Sequence, residues 1–166
     1  MIIHENESMD NRTFVIRQAD ENDVGALARV INAAFAVERF FKNADRIDAK
    51  GVKASMAKGH FLIAEDATGI AACIHIELRG ERGYFGLLSV DPSRQKAGLG
   101  RKMVEAAEDF MRRHGCKWSD MHIVNLRTEL PAFYAKLGYG VIGSEPFTGQ
   151  GAPDVACHFI NFTKKL

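Results

Sequence analysis

The stretch Asp91-Pro92-Ser93-Arg94-Gln95-Lys96-Ala97-Gly98-Leu99-Gly100 separates an apolar run, residues 84–90, from a segment of helical period. Pro92 restricts Asp91 and cannot continue a ladder, so a strand over 84–90 must stop there. From Gly98 the residues Leu99, Met103, Ala106, Ala107 and Phe110 share one helical face, and Gly115 follows His114 as a C′ residue. The start of a helix leaves its first backbone N–H groups without internal partners at the positive end of the dipole. Gly98 and Gly100 remove Cβ atoms where an anion would approach that backbone. Arg94, Lys96, Arg101 and Lys102 crowd the same stretch, with Asp91 the one nearby acid. The turn reads as a backbone cradle for a diphosphate; the plainer alternative is a flexible strand-to-helix turn. Two nucleotide patterns do not fit. A Walker A loop needs Gly-Lys followed by Ser or Thr, and Gly100 precedes Arg101-Lys102-Met103. A dinucleotide fingerprint needs a third small residue where Met103 stands. It also wants a parallel strand–helix–strand unit, and the strands before the turn read as an antiparallel meander.

Periodicity supplies the rest of the order. Residues 13–17 read as a first strand, and Asp20 caps a helix with Val24, Leu27, Ala28, Ile31 and Phe35 on one face. A loop through Arg39, Phe40, Phe41 and Lys42 leads to a weaker helix over 47–58, stopped at Gly59. Strands follow over 60–65, 70–78 and 84–90, joined by short turns at 66–69 and 79–83. After the helix at 98–114 come a strand over 118–124 and a short helix through Leu137 capped by Thr128. Strands over 139–144 and 155–162 close the sequence. The expected fold is single-domain α/β: a mixed, mostly antiparallel sheet of about seven strands flanked by about four helices.

The chain has 166 residues and a formal charge of +1, which argues against nucleic acid as a partner. Residues 1–12 are polar, read as a loose N-terminal segment before a domain over 13–166, and lack the apolar core of a signal peptide. No apolar run approaches the roughly 20 residues of a membrane span. Cys73, Cys116 and Cys157 are too few and scattered for a disulfide framework. A soluble, cytoplasmic protein is expected. The histidines and cysteines show no metal-ligand spacing, so no metal is expected.

The run from Leu88-Ser89-Val90-Asp91-Pro92 through Gln95-Lys96-Ala97-Gly98-Leu99-Gly100 resembles the acetyl-CoA site of the GNAT N-acetyltransferases. In that family a strand rich in Leu-x-Val-x-Pro precedes Gln/Arg-x-x-Gly-x-Gly/Ala. Phe133-Tyr134-Ala135-Lys136-Leu137-Gly138-Tyr139 is similar to the family's Tyr-x-Lys-x-Gly-Phe/Tyr segment. The element order agrees from about Thr13 to Leu166. The resemblance implies acetyl-CoA as co-substrate, with backbone groups of Leu88, Ser89 and Val90 along its pantetheine arm. It implies that Gln95, Lys96, Ala97, Gly98, Leu99, Gly100 and Arg101 hold the diphosphate, and that Asn125 touches pantetheine or substrate. Asn125 stands farther from Tyr134 than the family's usual spacing. Tyr134 matches the general acid that protonates the departing thiolate. A phenol of pKa about 10 can serve a thiol of about 8.5 across a short hydrogen bond. The alternative for Tyr134 is core packing beside Leu130 and Leu137.

An attacking amine must be neutral, so a base would help. Glu77 and His75 share a face of the strand beside Leu88, and His122 lies on the strand after the long helix. Glu77 is taken first, with His75 and His122 behind it. Arg39, Lys42 and Arg46 fall where the family's substrate loop lies, and form either a solvated basic segment or a site for a carboxylate-bearing substrate. The expected activity is direct acetyl transfer to a primary amine of a small molecule, in an enzyme able to form homodimers. A non-catalytic acetyl-CoA-binding module, or an enzyme acting on a protein N-terminus or lysine, are the alternatives.

Overall fold

The computed structural model describes residues 13–149 and 151–166, the side chains of residues 95–97 excepted. Seven strands form one sheet: β1 (Val15–Gln18), β2 (His60–Asp66), β3 (Gly69–Arg79), β4 (Arg82–Val90), β5 (Trp118–Val124), β6 (Gly140–Pro146) and β7 (His158–Lys165). Their spatial order is β1-β2-β3-β4-β5-β7-β6, antiparallel except where β4 meets β5. The helices are α1 (Val24–Phe35), α2 (Ala49–Lys58), α3 (Leu99–Arg113) and α4 (Leu130–Lys136).

Strand alternation distributes the core between two faces. Ile74, Ile76 and Phe85 point to the face covered by α3, where Leu99, Met103, Ala107 and Met111 meet them, with Tyr134 and Tyr139 beside them. Phe61, Ile63 and Cys73 point the other way and pack under α1 and α2 with Leu27, Ile31 and Val52. A third cluster, Phe41, Val124 and Phe159, ties the loop after α1 to the ends of β5 and β7.

The sequence expectations hold for element type and order. Four local differences have physical causes. The β3–β4 connection shrinks to Gly80-Glu81, because Arg79 and Arg82 pair across the hairpin. β7 starts later, at His158, where the Asn125 side chain accepts from its N–H. Thr128 is not a cap: Glu129 precedes α4, and no side chain caps that end. Finally, β4–α3–β5 is a parallel unit, since α3 crosses the sheet face and returns the chain beside β4 in the same direction.

Candidate active site

The parallel pairing of β4 and β5 covers only Arg82–Trp118, Gly83–Ser119 and Tyr84–Asp120. β4 then runs on to Val90 and β5 to Val124 without further pairing, so the sheet splits between them. A bulge in β4 accompanies the split. Cys73 opposes Ser89 while His75 opposes Gly86, and Leu87 within the extra segment has φ +51°. A β-bulge twists its strand and re-aims its backbone groups, and a non-glycine residue at positive φ carries strain. The Leu87 carbonyl accepts from Ser89 Oγ at 2.9 Å, which fixes the bulge from within. The Asp91 N–H donates to the Ala71 carbonyl, so alternation turns Ser89 toward β3 and Leu88 toward the split. Val90 shares the parity of Leu88.

Below the split the chain forms a 3-10 turn, Pro92–Ala97, opened by Asp91, whose side chain accepts from the Ser93 N–H. Gly98 follows at φ +69°, a conformation that glycine adopts at little cost. It precedes α3 directly, with no side-chain cap and no acid in the first turn. The leading amides of α3 are thus left to an external acceptor. The backbones of Gln95, Lys96 and Ala97 lie in the 3-10 turn; their side chains lie outside the described residues. Arg101 points outward and pairs with Glu105 at 2.8 Å. Arg94 turns away to Asp66, at 3.3 Å, and to Thr68.

Tyr134 brings the second sequence motif to the same place. A Cβ on Gly100 would lie 3.7 Å from the Phe133 ring and 3.8 Å from Val90, so α4 abuts the start of α3. The Tyr134 ring is 4% exposed and sits 6.2 Å from both Phe85 of β4 and Phe162 of β7, across the sheet split. Among the described residues its hydroxyl has no hydrogen-bond partner, and it is absent from the buried orphan groups, so it opens to solvent. Burial raises its pKa above the ordinary 10, opposed in part by the nearby Arg127 guanidinium.

On the opposite sheet face lies a cleft of about 480 Å³ lined by Glu77, Arg79, Tyr84, Asp120, His122 and Glu145, among others. Glu77 accepts from Arg79 at 2.7 and 3.2 Å, and the Arg79 guanidinium stacks 4.4 Å from the Tyr84 ring. His122 stacks on Phe159 at 4.1 Å, with Nδ1 3.0 Å from the Tyr84 hydroxyl and 3.8 Å from Glu145. Burial lowers the His122 pKa below 6.5, with Arg46 and Arg79 adding to the effect and Glu145 opposing it. Burial pushes Tyr84 up to about 12. His75 is engaged elsewhere: it is buried and Nε2 donates to the Ser55 carbonyl of α2 at 2.7 Å.

The remaining candidates divide by their partners. Asn125 spends its carboxamide oxygen on the His158 N–H, at 2.9 Å. Arg39 pairs with Asp45, Lys42 sits 5.8 Å from the Phe147 ring, and Arg46 stacks 5.3 Å from Phe35. Arg46 makes no ion pair among the described residues. The loop carrying them is anchored by Phe41 and by Glu38, which meets Arg127 at 2.9 Å. Tyr84 and Glu145, which line the cleft, and the Glu38–Arg127 pair, which ties the loop after α1 to the segment after β5, were not singled out from sequence, because only long-range pairing brings these residues together. The alternation of Tyr84 with Phe85 was the sole local signal.

The model of the acetyltransferase (GNAT) domain matches residues 57–141, just over half of the chain. The chain belongs to the GNAT acetyltransferase family. The matched segment holds β4, the glycine turn, α3, β5 and α4, so this GNAT chain is an acyltransferase by family. Solved structures share the fold. The Salmonella typhimurium yncA structure, with its cofactor acetyl-CoA, is 19% identical, with TM-score 0.72 over 92% of this chain and 94% of that one. The ribosomal-protein-S18-alanine N-acetyltransferase of Escherichia coli is 16% identical, with TM-score 0.75 over 92% and 94%. A structure named as a phosphinothricin N-acetyltransferase is 16% identical, with TM-score 0.77 over 93% and 99%. No curated protein matches the chain in sequence. Among the described residues no helix of this GNAT domain is long and apolar enough to cross a membrane, and no cluster of candidate metal ligands occurs.

Proposed function

We propose that this GNAT chain transfers the acetyl group of acetyl-CoA to a primary amine of a small molecule by direct attack. The observation that carries the reading is the split between β4 and β5, bounded by the uncapped start of α3 and roofed by Tyr134. A strand edge with no sheet neighbour can pair with an extended amide-bearing chain, and pantetheine is one. The yncA structure, which holds acetyl-CoA on the same fold, supports that choice of ligand. The amides of Leu99, Gly100 and Arg101 would face the diphosphate, with Gln95, Lys96, Ala97 and Gly98 forming the turn beneath it.

Acetyl-CoA supplies the thioester. The Leu88 N–H, turned to the split, is suited to polarise the thioester carbonyl. Tyr134, kept protonated by burial, gives its proton to the departing sulfur and recovers it from solvent through its open hydroxyl. His122 takes the proton lost by the attacking amine. Its lowered pKa keeps it neutral at pH 7, and it lies in a cleft lined by residues of both β4 and β5. Glu77 lines the same cleft but is occupied by Arg79, so it holds Arg79 over Tyr84 and is second to His122 as base. A cleft of about 480 Å³ suits a small acceptor better than a folded protein surface.

The experiment is release of coenzyme A thiol from acetyl-CoA against a panel of small amines and N-terminal peptides. Turnover with small amines is the expected result. Tight binding of acetyl-CoA with no thiol release across the panel would leave a binding module instead.

A further inference from the structure

Tyr134 rides on α4, a helix of seven residues with no side-chain N-cap. So short a helix does not hold its own geometry in water; tertiary contacts must fix it. Nothing polar fixes the tip of the ring either, since the hydroxyl has no hydrogen bond among the described residues. Its direction is therefore set by the rings around it: Phe85, Phe133, Tyr139 and Phe162.

One of those four is itself held by directional bonds. The Tyr139 hydroxyl lies 2.8 Å from Ser119 Oγ of β5 and donates to Glu108 of α3 at 2.9 Å. Glu108 is 3% exposed and also receives Lys164 Nζ of β7, at 3.0 Å to each oxygen. Arg112 stands 3.7 Å from the same carboxylate. The Tyr139 N–H donates back to the Tyr134 carbonyl at 3.1 Å, and the two rings meet edge to face at 6.0 Å. The Tyr139 ring also meets Phe85 of β4 edge to face, at 5.7 Å. Thus β7 and the segment after α4 meet at one carboxylate of α3, which lies away from the acceptor cleft, and β5 joins through the Tyr139 hydroxyl.

A buried ionic cluster is a poor source of net stability, since apolar residues of equal volume do as well or better. What such a network does supply, when every member is satisfied, is one arrangement in place of several. We propose that Glu108, acting through Tyr139, is a positioning group for Tyr134. It locks the end of α4 onto α3 and so aims the phenol at the sheet split. The inference rests on the reading of Tyr134 as the general acid.

The test is a double-mutant cycle of Tyr139→Phe with Tyr134→Phe, read in kcat, amine KM and acetyl-CoA Kd. Tyr139→Phe keeps the ring and removes only the hydroxyl, and Glu108→Gln serves as a second probe of the same bond. The expected result is a loss of about tenfold or more in kcat for Tyr139→Phe at unchanged acetyl-CoA Kd and amine KM, as misplacement of a reacting group predicts. In the Tyr134→Phe background the same change should cost less than about twofold, because there is no proton left to aim. A thermal melt confirms that each variant is folded. An equal loss of kcat in both backgrounds overturns the positioning role and leaves the general acid standing, as does wild-type kcat for Tyr139→Phe. Wild-type kcat for Tyr134→Phe alone removes the general acid, and the positioning role falls with it.

Discussion

Gly98 and Gly100 are two residues apart, yet adding a methyl group to each should move stability in opposite directions. Gly98 has φ +69°, where a Cβ meets nothing within 4 Å, so Gly98→Ala pays only backbone strain. That strain is about 1–2 kcal/mol. Gly100 lies within α3 at negative φ, and its Cβ would meet Phe133 at 3.7 Å and Val90 at 3.8 Å, which is ordinary contact. Gly100→Ala therefore fits the free protein and restricts the unfolded chain, for a gain of about 0.4–1 kcal/mol. For a chain of this size about 1 kcal/mol moves Tm by roughly 2–4 °C, down for Gly98→Ala and up for Gly100→Ala. Binding should respond differently. Both methyl groups stand where the diphosphate would press against the backbone, so both variants should bind acetyl-CoA more weakly. A displaced charge-assisted hydrogen bond or two, at roughly 1.5–3 kcal/mol each, corresponds to about tenfold or more in Kd. Calorimetric titration with acetyl-CoA and a thermal melt of each variant suffice. A Gly100→Ala protein that melts higher than wild type and binds acetyl-CoA equally well would refute the cradle.

Three further outcomes are expected. Tyr134→Phe should lower kcat by roughly 10²–10⁴-fold in the thiol-release assay, with Tm nearly unchanged because no protein hydrogen bond is lost; burial raises the phenol above 10, so wild-type kcat should show no alkaline fall below that pH. His75 and His122 both have folded pKa values below 6.5, so the unfolded chain binds more protons and stability, full above pH 6.5, should decline as pH falls below it; kcat/KM should fall in the same window, and a limb that persists unaltered in His122→Gln would exclude His122 as base. Arg127→Ala strands the half-buried Glu38 that meets it at 2.9 Å, and should cost about 1–3 kcal/mol in denaturant unfolding and raise amine KM by loosening the loop after α1; an unchanged midpoint and KM would show that the pair does not anchor that loop.

Most of the fold was legible because its signals are local. The apolar period of α3, the apolar run of β2, the alternation in β3, the Asp20 cap on the 3-10 turn that leads into α1, and the glycines that follow α2 and α3 all act within a few residues. The same holds for the turn before α3: Pro92 follows the end of β4, and Gly98 stands at positive φ directly before the helix. The proposal for Tyr134 likewise starts from its place in a short motif.

Long-range pairing decided the rest. Nothing in the residues of β4 and β5 says that they part after Tyr84 and Asp120; that follows from a bulge at Leu87, whose positive φ the surrounding sheet imposes. Hydrogen-bond partners distinguished the three candidate bases: His75 is held against Ser55, Glu77 meets Arg79 two residues on, and His122 lies beside Tyr84. Contacts distant in the chain also turned Asn125 toward His158 and Arg94 toward Asp66. The sequence by itself determined which elements form and where α3 starts behind a glycine with no side-chain cap. Only the tertiary structure decided which side chains remain free to meet a ligand, because a polar group's partners are chosen among residues far apart in the chain.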